Sequence, residues 1–517
     1  MKNRSHPPFY IILLFVLSSL LFLGIALILI LQSTYAASRQ SSRQTLNHSA
    51  NHQIHELMKQ QDIPGMSVLM IQHGKVILNQ GYGYQNLSKH QHATKNTQYE
   101  IASDTKAFTG LAILQLAKEH KVDLKAPVRK YVPWLHLYHK GRQTDVTIEQ
   151  LIAQTSGISD SMSSDDEETL PKSKDNLKDR VKSINQATLK EAPGQQFNYA
   201  NMNYNVLGYV VEQVSHQSYE AYIHQHILTP LHMQQTYFKT EKPTAVQKRS
   251  LSKGYIKEHG NIEADRPAYF KGDTPAAYMI SSTTDLIPWV KYQLKPGASS
   301  RSIIAQSHQK LADTPYDKNA VGYGSGWFLN PESNQVLHPG TLPNYASFIL
   351  LNTKDQNAVV ILSNLNSSGI PNLAKTLDHQ LAYFNEHQMI NHYVAQHATL
   401  IGIVLWLLSL ISTGCLIGIG LLVYHFRQHR RTWRYRSLIA NSAIILISIL
   451  ILVSVGIALE QTPGRIIHAL NWDIALIAFS PPFILVILLS FCTIVLLTVY
   501  LSLLLLWKKK QDSDSHY

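Results

Sequence analysis

Three apolar stretches close this 517-residue chain, at Leu400–Tyr424, Leu438–Leu459 and Ile474–Trp507. Each is long enough to cross a bilayer as a helix, which takes about 20 apolar residues. In hydrocarbon every backbone polar group must be satisfied internally, so such segments have few options besides membrane helices. The third contains Pro481-Pro482, and its crossing is expected to start at those prolines. A fourth apolar run, Phe9 to Leu31, follows Lys2 and Arg4 and precedes small residues at Ala36 and Ala37. It reads as an export signal cleaved after Ala36, or as a retained anchor.

Basic residues orient these spans. His425 to Arg436, between the first two, carries five arginines, and Lys508, Lys509 and Lys510 follow the last. The positive-inside rule places both clusters, with Lys2 and Arg4, in the cytoplasm. All three placements agree only if residues 38–395 face out from the plasma membrane. The expected organisation is a signal peptide or anchor over 1–37 and an extracytoplasmic domain over 38–395. Three transmembrane helices over 396–507 and a cytoplasmic tail over 508–517 complete it.

Of the net charge of +12, residues 38–395 carry only +5; the rest flanks the spans. That excess speaks for topology and anionic lipid, with nucleic acid excluded as a partner. Both cysteines, Cys415 and Cys492, lie in the spans. The outer domain therefore has neither disulfides nor thiol catalysis nor cysteine-ligated zinc. Its many histidines form no His-Glu-x-x-His motif, so no metal and no cofactor are expected.

Within the outer domain, a helix is expected around His52–Gln61. Pro64–Gln72 and Lys75–Tyr84 read as strands joined by a turn at His73-Gly74. Thr105–Lys118 is apolar nearly all round, the pattern of a buried central helix. Val146–Gly157 reads as a helix stopped by Gly157, Ser159–Asp175 as a solvated loop with an acidic Asp165–Glu168 run, and Asn201–Val214 as an amphipathic helix. Ser347–Asn352 and Ala358–Leu362 are β-like, joined by a polar turn at Thr353–Gln356. Strands at both ends with helices between predict an α+β fold, an antiparallel sheet whose terminal segments meet, packed by a helical region.

Ser103-Asp-Thr-Lys106 opens the central helix. Residues three apart share a helix face, so Lys106 can reach the Ser103 hydroxyl and serve as an amine base. The positive end of the helix favours the developing alkoxide. Ser250-Leu-Ser-Lys253 has the same spacing without an apolar helix behind it, so spacing alone does not decide. Tyr199-Ala-Asn201 sits at a loop-to-helix junction. A tyrosine near cations can act as general base, and Asn201 can donate to a substrate carbonyl. Tyr84-Gln-Asn86 repeats this pattern. In His338-Pro-Gly340-Thr341, the histidine can keep a cation or hydrogen-bond donor beside the Tyr/Lys pair, and Gly340 permits close substrate approach. The Thr341 N–H can face an oxyanion together with that of Ser103. Pro339 cannot donate to a ladder, so it implies an edge strand or an unpaired side of one.

With these three elements in order, the chain resembles the serine β-lactamase and penicillin-binding protein superfamily, more closely its class C, DD-peptidase and esterase branch. Supporting matches are Gln154-Thr-Ser-Gly157, Pro193-Gly194, Tyr323-Gly-Ser-Gly-Trp327 and Leu362-Ser-Asn364. The resemblance implies an α/β domain facing a helical one, acylation of Ser103, and proton movement by Lys106 and Tyr199. The three C-terminal spans look like those of membrane-bound prodrug-activating peptidases, which remove an N-acyl-D-asparagine cap. Asn201, Leu342 and Asp273 stand where that group has a serine, an asparagine and a histidine. Leu342 favours a less polar acyl or side-chain group, and Pro339 removes a hydroxyl suited to a substrate carboxylate. Gln154 replaces a common histidine.

The expected function is a membrane-held serine hydrolase or peptidase that cleaves a small-molecule or peptide amide or ester through a Ser103 acyl-enzyme. A second class is a sensor acylated at Ser103 without turnover. The spans can anchor the domain, meet lipid, self-associate or pair with a transporter.

Overall fold

His73 and Gly74 both have positive φ, at 48° and 72°, the backbone that a two-residue hairpin turn demands. The turn joins β1 (Gly65–Gln72) to β2 (Lys75–Asn86). In this computed structural model the described residues are 46–159, 176–267, 269–295, 302–315, 322–382, 398–428, 431–433, 438–465 and 481–509. The N-terminal apolar run, the acidic Asp165–Glu168 run and the tail beyond 509 lie outside them.

The chain divides into two units, one of them Asn47–Ala382. Its large sheet has nine strands. After β1 and β2 come β3 (Gln91–His92), β4 (Ala312–Asp313), β5 (Gly322–Tyr323), β6 (Phe328–Asn330), β7 (Gln335–Leu342), β8 (Tyr345–Asn352) and β9 (Asn357–Ser363). The order is β4-β5-β6-β7-β8-β9-β1-β2-β3, antiparallel throughout. β9 pairs β1 with Met66 opposite Ser363 and Ile71 opposite Ala358, so the terminal segments meet as expected. Every residue of β1, β8 and β9 is buried, which requires cover on both sheet faces and explains their almost continuous apolar sequences. Asn364 ties the strand ends: its Oδ1 accepts from Gly65 N (2.8 Å) and its Nδ2 donates to Tyr84 O (3.0 Å).

The helix over 46–61, α1, meets the helix over 370–382 through Gln380 Nε2 donating to Ser49 Oγ (3.1 Å). Between the sheet's terminal strands run α2 (Thr105–Lys118), α3 (Ile148–Ile152), α4 (Asn201–Ser215) and α5 (Leu286–Gln293). α2 is buried through most of its length and stacks Phe108 on Trp289 of α5, centroids 3.8 Å apart. Gly326 fits against its first turn: a Cβ there would lie 2.6 Å from Ala107 N. Gly326 of Tyr323–Trp327 provides that close approach, while Gly324 makes room for the Ser307 and Gln309 carbonyls. α3 is shorter than its apolar pattern predicts. A Thr147/Gln150 capping box starts it, but Gln154 turns left-handed at φ 59° and ends it before Gly157.

The other unit holds α6 (Ala398–Arg427), α7 (Leu438–Arg465) and α8 (Pro481–Leu506). All three are long and apolar enough to cross a membrane, the candidate span within α8 being Val486–Leu506. Ser412 and Thr493 hydroxyls meet at 2.8 Å, as do Ser448 and Ser502 at 2.7 Å, so α8 touches both neighbours. Arg431–Trp433 pairs antiparallel with Trp507–Lys509. Arg431, Lys508 and Lys509 therefore lie close together beyond the ends of α6 and α8.

Candidate active site

Ser103 lies in a single tight turn, Ala102–Asp104, that feeds directly into α2. Ala102 is held at φ 46°, a conformation that non-glycine residues adopt only when their surroundings impose it. Those surroundings are explicit. Thr105 Oγ1 donates to Ala102 O (2.6 Å), and Ser347 Oγ on β8 donates to Ile101 O (2.7 Å). The next residue, Asp104, is fully buried, and burial holds its carboxyl well above the usual range.

Lys106 is also fully buried, and its Nζ lies 3.0 Å from Ser103 Oγ. It also meets Asn201 Oδ1 at 2.6 Å and Ala276 O at 3.0 Å. These last two atoms can only accept, whereas a hydroxyl can accept or donate. A neutral amine can thus give its two N–H groups to Asn201 and Ala276 and turn its lone pair to the Ser103 proton. An ammonium can donate to all three. One fixed geometry suits both protonation states, as a proton carrier needs. With Oδ1 committed to Lys106, Nδ2 is the donor end of Asn201.

Lys106 Nζ sits 4.9 Å from the Tyr199 ring centroid and 5.9 Å from that of Tyr204. Tyr204 and Tyr323 are fully buried and their phenols are pushed up by burial, so neither is suited to ionise. Tyr199 is partly exposed. It stacks on Phe328, centroids 6.2 Å apart, and its ring is 6.1 Å from that of His338.

His338 departs from expectation. Burial, aided by the charge of Lys106, pushes its imidazole down to about 3, so it is neutral at physiological pH. Its Nδ1 lies 2.8 Å from Pro339 O. A carbonyl only accepts, so Nδ1 carries the proton and Nε2 is an acceptor. The residue supplies neither a cation nor a donor from Nε2. Gly340 is also reassigned: a Cβ there would lie 2.0 Å from Ser347 Oγ and 2.5 Å from Ile101 O. The missing side chain lets β7 lie against the Ser103 turn, a closeness within the protein itself. β6 pairs only with Gln335–Leu337 of β7. From His338 onward that side lacks the β6 partner, which resolves the proline's two alternatives in favour of an unpaired side. Thr341 is exposed there and Leu342 partly so.

The model for the family described as Beta-lactamase matches residues 50–383. This chain belongs to the beta-lactamase family. It is 39% identical over 430 residues to Protein flp of Staphylococcus aureus, covering 82% of this chain and 83% of that one. It is 31% identical over 220 residues to the Staphylococcus aureus Teichoic acid D-alanine hydrolase, covering 43% of this chain and 52% of that protein. The octameric penicillin-binding protein homologue from Pyrococcus abyssi is 29% identical, with a TM-score of 0.54, over 62% of this chain and 74% of that one.

Within this beta-lactamase fold, Ser103, Lys106, Asn201, Tyr199, His338 and Gly340 come from three separate sequence regions and converge around α2. The decoys do not. Ser250 ends a short helix and Leu251 bridges to Gln98, so Lys253 is not a helical neighbour. Tyr84 and Asn86 sit on β2, where Asn86 Oδ1 is taken by Ser88 Oγ (2.9 Å). Asp273 is drawn into a bidentate pair with Arg180 (2.8 and 3.3 Å) and accepts from Asn205. Among the described residues no group of three or more His, Cys, Asp or Glu could hold a metal. The Ala276 carbonyl escaped sequence reading because a backbone acceptor has no residue signature.

Proposed function

We propose that this protein is a membrane-anchored, outward-facing serine hydrolase that cleaves an ester or amide through an acyl-enzyme on Ser103. The observation that carries this is Lys106 Nζ, 3.0 Å from Ser103 Oγ and held in place by Asn201 Oδ1 and Ala276 O. Ser103 Oγ attacks the substrate carbonyl while its proton passes to Lys106 or Tyr199. The Ser103 and Thr341 N–H groups take the oxyanion, and the Asn201 Nδ2 donates to the substrate. Collapse expels the leaving alcohol or amine, which takes the proton. Water then attacks the acyl carbon, its proton moves to the same base, and Ser103 regains its hydrogen.

The preferred substrates are esters of small amino acids on a cell-wall polymer, such as D-alanyl esters. Similarity to a protein named for that hydrolysis supports this reading. So does the lack of a hydroxyl at Pro339, which suits an acyl group whose carboxylate is tied up as the ester, and the apolar Leu342 at the end of β7, which suits a small apolar side chain such as a methyl. The three C-terminal spans favour a second reading, a D-residue-containing secreted peptide precursor as substrate. A fluorophosphonate probe is expected to label the wild type and spare Ser103→Ala. Equal labelling of both would overturn the assignment. D-alanine release from a D-alanylated polymer, set against cleavage of a D-residue peptide, then separates the two substrate readings.

A further inference from the structure

The peptide that presents Tyr199 is gripped on both sides by one residue. Asn198 N donates to Gln154 O at 2.7 Å, and Ala200 N donates to Gln154 Oε1 at 3.0 Å. The same Oε1 accepts from Asn203 Nδ2. Gln154 is fully buried. A left-handed conformation is unfavourable for a residue with a Cβ, which crowds the following carbonyl. Gln154 nevertheless adopts φ 59°, and that backbone turns both its oxygens toward residues 198–203.

The start of α4 shows why such a residue is needed. Its cap, Ala200, has no side chain that can accept from the helix. The Gln154 amide oxygen accepts instead from the N–H of Ala200 itself, the bond that a third-position side chain makes in a capping box, and so ties the helix start to another part of the chain. Neighbouring bonds run the same way: Lys190 N to Gly157 O (2.9 Å), Gly194 N to Thr155 O (2.7 Å) and Asn198 Nδ2 to Ile158 O (2.8 Å). The segment 154–158 is thus laid along 190–200, with Tyr199 at the point gripped twice.

Resting on the acyl-enzyme reading above, we infer that Gln154 is a positioning residue that holds Tyr199 in working geometry beside Lys106. Its hydrogen bonds go to the peptide that carries Tyr199 and to the start of α4, so it acts on the reaction through them. A misplacement of about 1 Å in such a site costs on the order of 10²-fold in rate.

The test uses full-length protein in detergent micelles and a fluorophosphonate probe, measuring the maximal labelling rate and the half-saturating probe concentration. Gln154→Met keeps the length and removes the acceptor; Gln154→Glu keeps an acceptor oxygen. Met is expected to slow maximal labelling by about 30–100-fold, with the half-saturating concentration unchanged within about twofold, while Glu stays near wild type. In a Tyr199→Phe background, Gln154→Met should add no further loss, because the two residues act as one unit. The inference is overturned if Met leaves the rate intact, if it slows the Tyr199→Phe enzyme by the same factor, or if Glu behaves like Met. Should the Met variant not fold, the Glu variant decides: a rate near wild type supports the role, and a loss like that of Tyr199→Phe overturns it. Labelling of Ser103→Ala would instead refute the underlying acyl-enzyme reading.

Discussion

Acidification should weaken this fold through His338. The imidazole is held at about 3, down from 6.5, because burial strips the charged form of water, with the charge of Lys106 adding to the effect. Between those values the unfolded chain binds one more proton than the folded one, so stability falls as pH falls. The contribution is complete above pH 6.5 and disappears progressively toward pH 3. At about 1.4 kcal/mol per unit, the roughly 1.5 units between 6.5 and 5 amount to about 2 kcal/mol. His308, buried and held at about 4, contributes in the same direction over a narrower window. Asp104 and Glu100, raised by burial, act oppositely: their contribution is present at low pH and is lost as pH rises through their folded values. A wild-type curve alone mixes these effects, and a difference isolates His338. Urea unfolding of the full-length protein in micelles, followed by the fluorescence of buried Trp289 and Trp327, should be run at pH 7 and pH 5 with His338→Gln alongside. The wild type is expected to lose about 2 kcal/mol more than the variant over that interval. Equal losses in both proteins would refute the neutral, buried imidazole.

The remaining predictions concern the site. Lys106→Ala and Tyr199→Phe should each slow acylation by about 10²–10⁴-fold, read as fluorophosphonate labelling rates on folded protein. Gly340→Ala should also suppress labelling, because its Cβ would lie 2.0 Å from Ser347 Oγ; adding Ser347→Ala should restore part of the rate, and no restoration would contradict the contact. With an activated ester, the wild type should release an initial burst and then turn over steadily. A burst of one equivalent with no further product would mark a sensor.

The legible parts of this protein were those encoded locally. Ser103 and Lys106 are three residues apart at the start of a helix whose apolar sequence is readable, and Ser347–Asn352 and Ala358–Leu362 are short, almost continuous apolar runs with a polar turn between. The N-terminal β1 and C-terminal β9 could be expected to meet because strands at both ends need a partner. Long-range relations were harder. Gln154 looked like a substitution for histidine, and only the folded chain brings it to residues 198 and 200, more than forty positions away. Gly340 was read for substrate approach because sequence does not show that Ser347 and Ile101 occupy the space above it. The sequence around His338 suggests a cation or a hydrogen-bond donor, since its burial depends on the packing of Tyr199, Tyr323 and Phe328 around it. The extent of α3 was overestimated because an apolar period carries no warning of a left-handed residue inside it.

The Arg180–Asp273 pair has a consequence for how this protein can change over time. Both side chains are almost sealed from water, at 12% and 9% exposure, and Asp273 immediately precedes the Thr274–Ala277 turn whose Ala276 carbonyl meets Lys106. Removing one partner of a buried pair strands the other charge, at a cost of about 3–5 kcal/mol. A lineage starting here therefore cannot exchange Asp273 for histidine by a single neutral step. Arg180 and Asp273 should drift as a couple, changing together or passing through an intermediate that folds poorly. The pair thus acts as a ratchet on the history of the chain, and it restrains variation beside Lys106.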